Sequence, residues 1–245
     1  MSKTKPGKYW DDTLNMARHI DCHCETGDKC WWKQMHKRFQ QPLGWFPEQA
    51  NKVSTTGKAK VYAVQWLGDI AFLERVKIAT IVTSCHRINT ERHYLRLPLH
   101  TFLFLTKFPE KLNIMSFKYA IKPEDNLWLG ISASDQYTFD KRIAGLLKFD
   151  GFKKWVSLEP LYGGIDLKTD LAYKTENGYT PLSGFINQVI IGGMTNAPYK
   201  ANLDWFRSIR DQCKAAGVPF FIKHIDEHGR MLDGQFYDNL QWYIS

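Results

Sequence analysis

Cys22, Cys24 and Cys30 lie in one polar stretch, His19-Ile-Asp-Cys-His-Cys-Glu-Thr-Gly-Asp-Lys-Cys30, directly ahead of Trp31-Trp-Lys-Gln-Met-His-Lys-Arg-Phe39, which reads as the start of a helix. Thiolates are soft ligands suited to iron–sulfur clusters or zinc, and their close spacing lets one loop wrap one centre. Three thiolates on a four-iron cluster leave one iron open to a further ligand. A disulfide is disfavoured: an odd cluster leaves one thiol over, and Met1-Ser-Lys-Thr-Lys-Pro-Gly-Lys8 contains no apolar signal segment. Iron–sulfur is therefore preferred to zinc. Cys85, in an apolar stretch, and Cys213, on an expected helix, read as ordinary buried thiols.

A second set of residues gains its interest from position. Asp69, Lys107, Ser132, Glu159, Gly192 with Gly193, and Lys223 with His224 each stand at or just beyond the end of an apolar run that reads as a strand. In β/α barrels, ligands and chemistry gather at the carboxyl ends of the strands. Polar residues end most strands, and for Ser134, Gln136 and Asn196 solvation suffices as the explanation. Glu159 differs, because Ser157-Leu-Glu-Pro160 sets a carboxylate inside an apolar stretch, where desolvation is costly unless a cation or donor meets it. Lys107 and Lys223 are natural partners for that carboxylate or for an anionic ligand. Gly192-Gly193 allows close backbone approach but is no dinucleotide fingerprint, since the third glycine and its helix are missing.

The elements that must position these residues follow from the pattern beyond residue 60, where short apolar runs alternate with turns and helical stretches. That alternation implies α/β architecture with a parallel sheet. Strands are expected at 61–66, 101–106, 127–132, 154–158, 188–191 and 219–223, with an initial one near Leu14 to His19. Helices are expected at 73–83, 109–117, 138–149 and 202–216, the last stopped by Gly217. Seven strands suit a full or partial parallel β/α barrel with an N-terminal Cys-rich cluster loop. Stretches 40–60 and 168–183 read as loops. The 245 residues, 44% hydrophobic and 14% aromatic, are expected to form a single globular domain. The longest apolar run, Leu97 to Phe108, is interrupted by His100 and Lys107 and falls short of the ~20 residues that cross a bilayer. A cytoplasmic protein without membrane association is expected. The net charge of +8 favours an anionic partner.

Several motifs, taken in order, resemble a known family. His100-Thr-Phe-Leu-Phe-Leu-Thr-Lys-Phe-Pro-Glu110, Trp128-Leu-Gly-Ile-Ser132 with Asp135-Gln136, Trp155-Val-Ser-Leu-Glu-Pro-Leu161 with Gly164-Ile-Asp-Leu167, Val189-Ile-Ile-Gly-Gly193, the run from Trp205 to Lys223, and Gly229-Arg-Met-Leu-Asp-Gly234 look like the phage-associated three-Cys-motif proteins. Those proteins are regarded as radical-SAM-like, in the spore-photolyase-like fold group. The resemblance spans roughly residue 10 onward. In the cysteine loop the chain departs from the family's spacing: one residue separates Cys22 from Cys24 and five separate Cys24 from Cys30.

The resemblance implies a [4Fe-4S] cluster on Cys22, Cys24 and Cys30, with the open iron holding S-adenosylmethionine. Reduction by an external electron donor would then yield a 5′-deoxyadenosyl radical that abstracts hydrogen from an unactivated carbon. Asp69, Ser132, Glu159, Gly192 and Gly193 would contact the cofactor; Lys107, Glu159, Lys223 and His224 would serve the substrate and proton transfer. The expected substrate is a nucleic-acid base or modified nucleotide, in a setting of phage DNA hypermodification, since basic residues meet phosphates and aromatic rings stack on bases. Trp31, Trp32 and Trp45 suit that use, whereas Trp128, Trp155 and Trp205 suit a core. The alternative is a nonenzymatic zinc-stapled nucleic-acid-binding protein, with His19, His23 or His36 completing a four-ligand site.

Overall fold

The computed structural model describes residues 8–18, 36–38, 40, 42–112, 126–149, 152–168, 172–175, 178–194, 201–226 and 229–243. In chain order the elements are β1 (Asp12–Leu14), β2 (Ala17–Arg18), β3 (Gly44–Trp45), β4 (Val61–Val64), α1 (Arg75–Tyr94), β5 (Thr101–Thr106), β6 (Leu127–Ala133), α2 (Gln136–Leu147), β7 (Lys153–Leu158), β8 (Ala172–Thr175), β9 (Gly178–Pro181), β10 (Ile186–Gly192), α3 (Leu203–Ala216) and β11 (Phe220–His224). Seven strands share one sheet in the order β1-β4-β5-β6-β7-β10-β11. Pairing is parallel at β1–β4, β4–β5, β7–β10 and β10–β11. This is the α/β class with the seven strands expected of a partial parallel barrel. The expected Cys-rich loop, with Cys22, Cys24 and Cys30, lies outside the described residues, as do His19, His23, Trp31 and Trp32.

Two compact units make up the chain, Trp10–Trp128 in one and Met1–Tyr9 with Leu129–Ser245 in the other. In the first, Val61–Val64 is buried at every position, as a strand covered on both faces must be. Helix α1 turns Ile78, Ile81, Val82, Cys85 and Ile88 inward at helical spacing. It runs well past the expected end at Thr83, because its second half buries polar residues that hide the stripe. Asn89 exchanges hydrogen bonds with the backbone of His100, at 2.9 Å each way. Arg92, fully buried, donates to the carbonyls of Pro98, Thr56 and Gly57.

In the second unit, β6, β7, β10 and β11 carry the core. Trp155 on β7 lies across Gly130 of β6, where a Cβ would come within 2.4 Å of its ring. Gly130 is thus the space the indole occupies. Trp128 and Trp155 are buried as expected, while Trp205 is half-buried. Asp135 caps α2, accepting from the Thr138 amide at 2.8 Å, and Arg142 of that helix donates to the Ser132 carbonyl at 2.7 Å. Gly217 ends α3 in the left-handed conformation, φ +67°.

Two further expectations need correction. The initial strand is Asp12–Leu14 rather than Leu14 to His19, because Ala17–Arg18 pairs instead with Gly44–Trp45, antiparallel. Residues 168–183 contain the antiparallel hairpin β8–β9, whose Thr-, Tyr- and Lys-rich strands lack the apolar alternation that would mark them. Of the helix expected at 109–117, Pro109–Lys111 is a 3-10 turn and residues 113–117 lie outside the described residues.

Candidate functional site

Six of the expected strand-end residues come together in the second unit. Glu159 follows β7, Gly192 and Gly193 close β10, and Lys223 and His224 end β11. Ser132, near the end of β6, is buried with its hydroxyl 3.5 Å from the Glu159 carbonyl oxygen. The peptide from Glu159 to Pro160 is cis, and Leu161 then donates its amide to the Gly192 carbonyl at 2.9 Å. Lys223 Nζ donates to Glu159 Oε2 at 3.0 Å, which is the cation the buried-looking carboxylate required. The carboxylate side chain is 13% exposed and the lysine 30%.

Two further residues join them. Tyr9, fully buried, stands edge-on to Trp155, Phe221 and, more tilted, Trp242, and its hydroxyl bonds the side chains of Ser157 and Glu159. Burial, then the Glu159 charge, pushes its pKa well above the usual tyrosine value, so it remains a donor. Ser157 precedes Glu159 by two positions and so shares its face of the chain, a signal present in the sequence. Nothing in the sequence around Tyr9 announced its role, which depends on a contact with residues far along the chain.

His224 completes the cluster. Its Nε2 is buried with no partner among the described residues. Burial lowers its pKa, with Glu159 pulling upward and Lys223 downward. Glu159 Oε1 is likewise buried without a partner among the described residues. Gly192 borders both side chains: a Cβ there would stand 3.1 Å from Glu159 Oε1 and 3.1 Å from His224 Cε1. Gly193 is glycine for a different reason, since its Cβ would fall 1.8 Å from the Ile225 carbonyl oxygen.

Asp69 and Lys107 meet in the other unit. The Asp69 carboxylate accepts from Thr106 Oγ1 at 2.6 Å, the Lys107 amide at 2.8 Å and the Ala71 amide at 3.0 Å. Burial raises its pKa, against the pull of those three donors. Both oxygens are thus engaged in joining the ends of β4 and β5. The Lys107 side chain makes no ion pair among the described residues, whereas Lys111 sits over the rings of Phe72 and Phe108, at 4.5 and 5.2 Å. Gln65, in a left-handed conformation at φ +58°, accepts from the Ala17 amide at 3.0 Å and donates to the Ala17 carbonyl. That clasp fixes the chain just before the cysteine-bearing segment.

Cys85 and Cys213 are buried and in no disulfide, and burial pushes Cys213 up to about 12. No group of three metal-ligating side chains occurs among the described residues. No helix among them is long and apolar enough to cross a membrane. Neither a curated protein nor a solved structure matches the chain. A family model described as "Protein of unknown function (DUF5131)" matches residues 8–241, and the chain belongs to that family.

Proposed function

We propose that the protein is a radical S-adenosylmethionine enzyme that modifies a nucleic-acid base or modified nucleotide, with phage DNA the expected substrate. The observation that supports a ligand site is the pair of buried polar atoms, Glu159 Oε1 and His224 Nε2, that lack partners among the described residues at the carboxyl ends of β7 and β11. A buried polar atom left unmet costs about 1–3 kcal/mol, and a ligand bringing partners removes that cost. A nucleoside-containing ligand carries both donors and acceptors, so the residues present fit one. The donor set for iron is the three thiols Cys22, Cys24 and Cys30, whose segment is fixed at its entry by Gln65 and β2.

When bound, the cluster and S-adenosylmethionine supply one-electron cleavage of a carbon–sulfur bond and hydrogen abstraction from an unactivated carbon. The chain's own residues position and protect. Lys223 holds the Glu159 carboxylate, Tyr9 donates to it, and His224, its pKa lowered by burial, stands beside them as a group able to exchange a proton. Ser132 and Ser157 back this arrangement from β6 and β7.

Anaerobic reconstitution tests the reading. One four-iron cluster is expected per chain, lost on replacing Cys22, Cys24 or Cys30 by Ala and kept in Cys85→Ala and Cys213→Ala. With dithionite and S-adenosylmethionine, 5′-deoxyadenosine should be released. A loaded protein that releases none, with or without DNA, ends the proposal.

A further inference from the structure

We infer that the carboxyl end of α1 is a docking face for a single strand of nucleic acid, with phosphates on Lys58 and Arg96 and a base stacked on Tyr94. The inference rests on the proposed nucleic-acid substrate and names the surface that holds it. Its ground is a junction of two loops on one buried side chain. Arg92, in the last turn of α1, donates to the Pro98 carbonyl at 2.7 Å and to those of Thr56 and Gly57 at 3.3 and 3.0 Å. Lys58 directly follows Gly57, and Arg96 stands two residues before Pro98, so one guanidinium brings the two cations to the same end of the helix. His100 fastens the same junction, its ring meeting the Lys60 amide at 3.0 Å and the Ser54 carbonyl at 2.7 Å.

Charge and exposure select the partner. Lys58 and Arg96 are exposed and make no ion pair among the described residues. The acids of the same loops and helix are already met: Glu91 accepts from Thr55 Oγ1 at 2.9 Å and lies 3.9 Å from Arg87, and Asp12 is 3.6 Å from Lys60. The end of a helix contributes about half a negative charge, less than the two free cations supply. Tyr94 is 82% exposed, on the rim of an open groove of about 620 Å³ that it lines with His93, Arg96, Leu97 and Pro98. An aromatic ring standing in water beside unpaired cations suits a single strand, whose phosphates meet the charges and whose unpaired bases stack on the ring. In a duplex the bases cover one another and leave such a ring uncovered. The face lies at the amino ends of β4 and β5, at the opposite edge from Asp69 and Lys107, so a strand held here lies away from those two residues.

The test follows a fluorescein-labelled oligo-deoxythymidine by anisotropy with the full-length protein across a salt series. On a single strand log affinity falls by roughly 0.7 per neutralised phosphate for each tenfold rise in salt, so Lys58→Gln and Arg96→Gln should each flatten the slope by about that amount. Lys214→Gln, at an exposed position on α3, should leave it unchanged. Tyr94→Ala should weaken binding about tenfold, and Tyr94→Phe, which keeps the ring, should not. Heparin, a polyanion without bases, should lose affinity in the two charge variants and keep it in Tyr94→Ala. Equal flattening by Lys214→Gln, equal affinity of the two Tyr94 variants, or heparin as sensitive to Tyr94→Ala as the strand would each overturn the inference. Binding that ignores the Lys58, Arg96 and Tyr94 variants overturns the inference alone, whereas no binding to DNA at low salt overturns the nucleic-acid reading with it. The titration needs no cluster, so either failure is distinct from a failure to release 5′-deoxyadenosine.

Discussion

Gly192 and Gly193 are neighbours whose missing side chains have different consequences. At Gly193 the obstacle to a Cβ is backbone, the Ile225 carbonyl oxygen at 1.8 Å, so relief requires β10 and β11 to part. At Gly192 the obstacles are the ends of two side chains. Gly193→Ala should therefore lower unfolding free energy by about 3 kcal/mol, and Gly192→Ala by about 1 kcal/mol, as urea titration of the two variants would measure. Equal losses would mean that β11 yields more easily than its pairing suggests. His100 offers a pH-dependent counterpart. Its Nδ1 accepts from the Lys60 amide at 3.0 Å and Nε2 faces the Ser54 carbonyl at 2.7 Å. Burial, with Arg92 and Lys60 nearby, lowers its pKa despite the Ser54 carbonyl. Below about pH 6.5 the unfolded chain takes a proton on this ring that the folded chain refuses, so stability falls with pH until the lowered folded value is passed. His100→Asn should be less stable at pH 7.5 yet lose less between about pH 7 and 5, as thermal melts at both ends of that range would register.

Among the elements, the junction of β4 with β5 depends on one carboxylate. Asp69→Ala leaves the amides of Lys107 and Ala71 and the Thr106 hydroxyl without their acceptor, and should cost about 2–4 kcal/mol. Amide hydrogen exchange should accelerate first at Lys107 and Ala71; uniform acceleration along the chain would contradict this local role. The strands themselves were legible because buried parallel strands are runs of apolar residues, as in Thr101–Thr106 and Lys153–Leu158. What was not legible is instructive. The second half of α1 hid behind buried Asn89 and Arg92, whose polarity is met by loops distant in sequence. Asp69 and Glu159 look equivalent in sequence, each a carboxylate at a strand end. Geometry separates them, since Asp69 has both oxygens engaged by its own fold whereas Glu159 keeps one unmet among the described residues. Tyr9 could not be found at all without the chain's closure onto Ser157 and Glu159.

For the molecule as a whole, the net charge of +8 makes a measurable claim about its partner. Binding to duplex DNA should weaken with salt, log affinity falling by roughly 0.9 per neutralised phosphate for each tenfold rise. Fluorescence anisotropy across a salt series gives the slope, and a flat line even at low salt would redirect attention to a free metabolite or a protein substrate. The clasp formed by Gln65 on Ala17, with Arg18 paired to Gly44, bears on the same molecule in another way. The pairing of Ala17 and Arg18 with Trp45 and Gly44 holds the two ends of residues 19–43 together before anything is bound, and Gln65 steadies the first of those ends. Bringing the ends of a free loop of that length together costs roughly 3 kcal/mol of chain entropy. The folded protein has already met that cost, so a metal held by Cys22, Cys24 and Cys30, as proposed, would close smaller circuits within ends already joined. Gln65→Ala should thus make iron easier to strip with a chelator although no ligand has been touched.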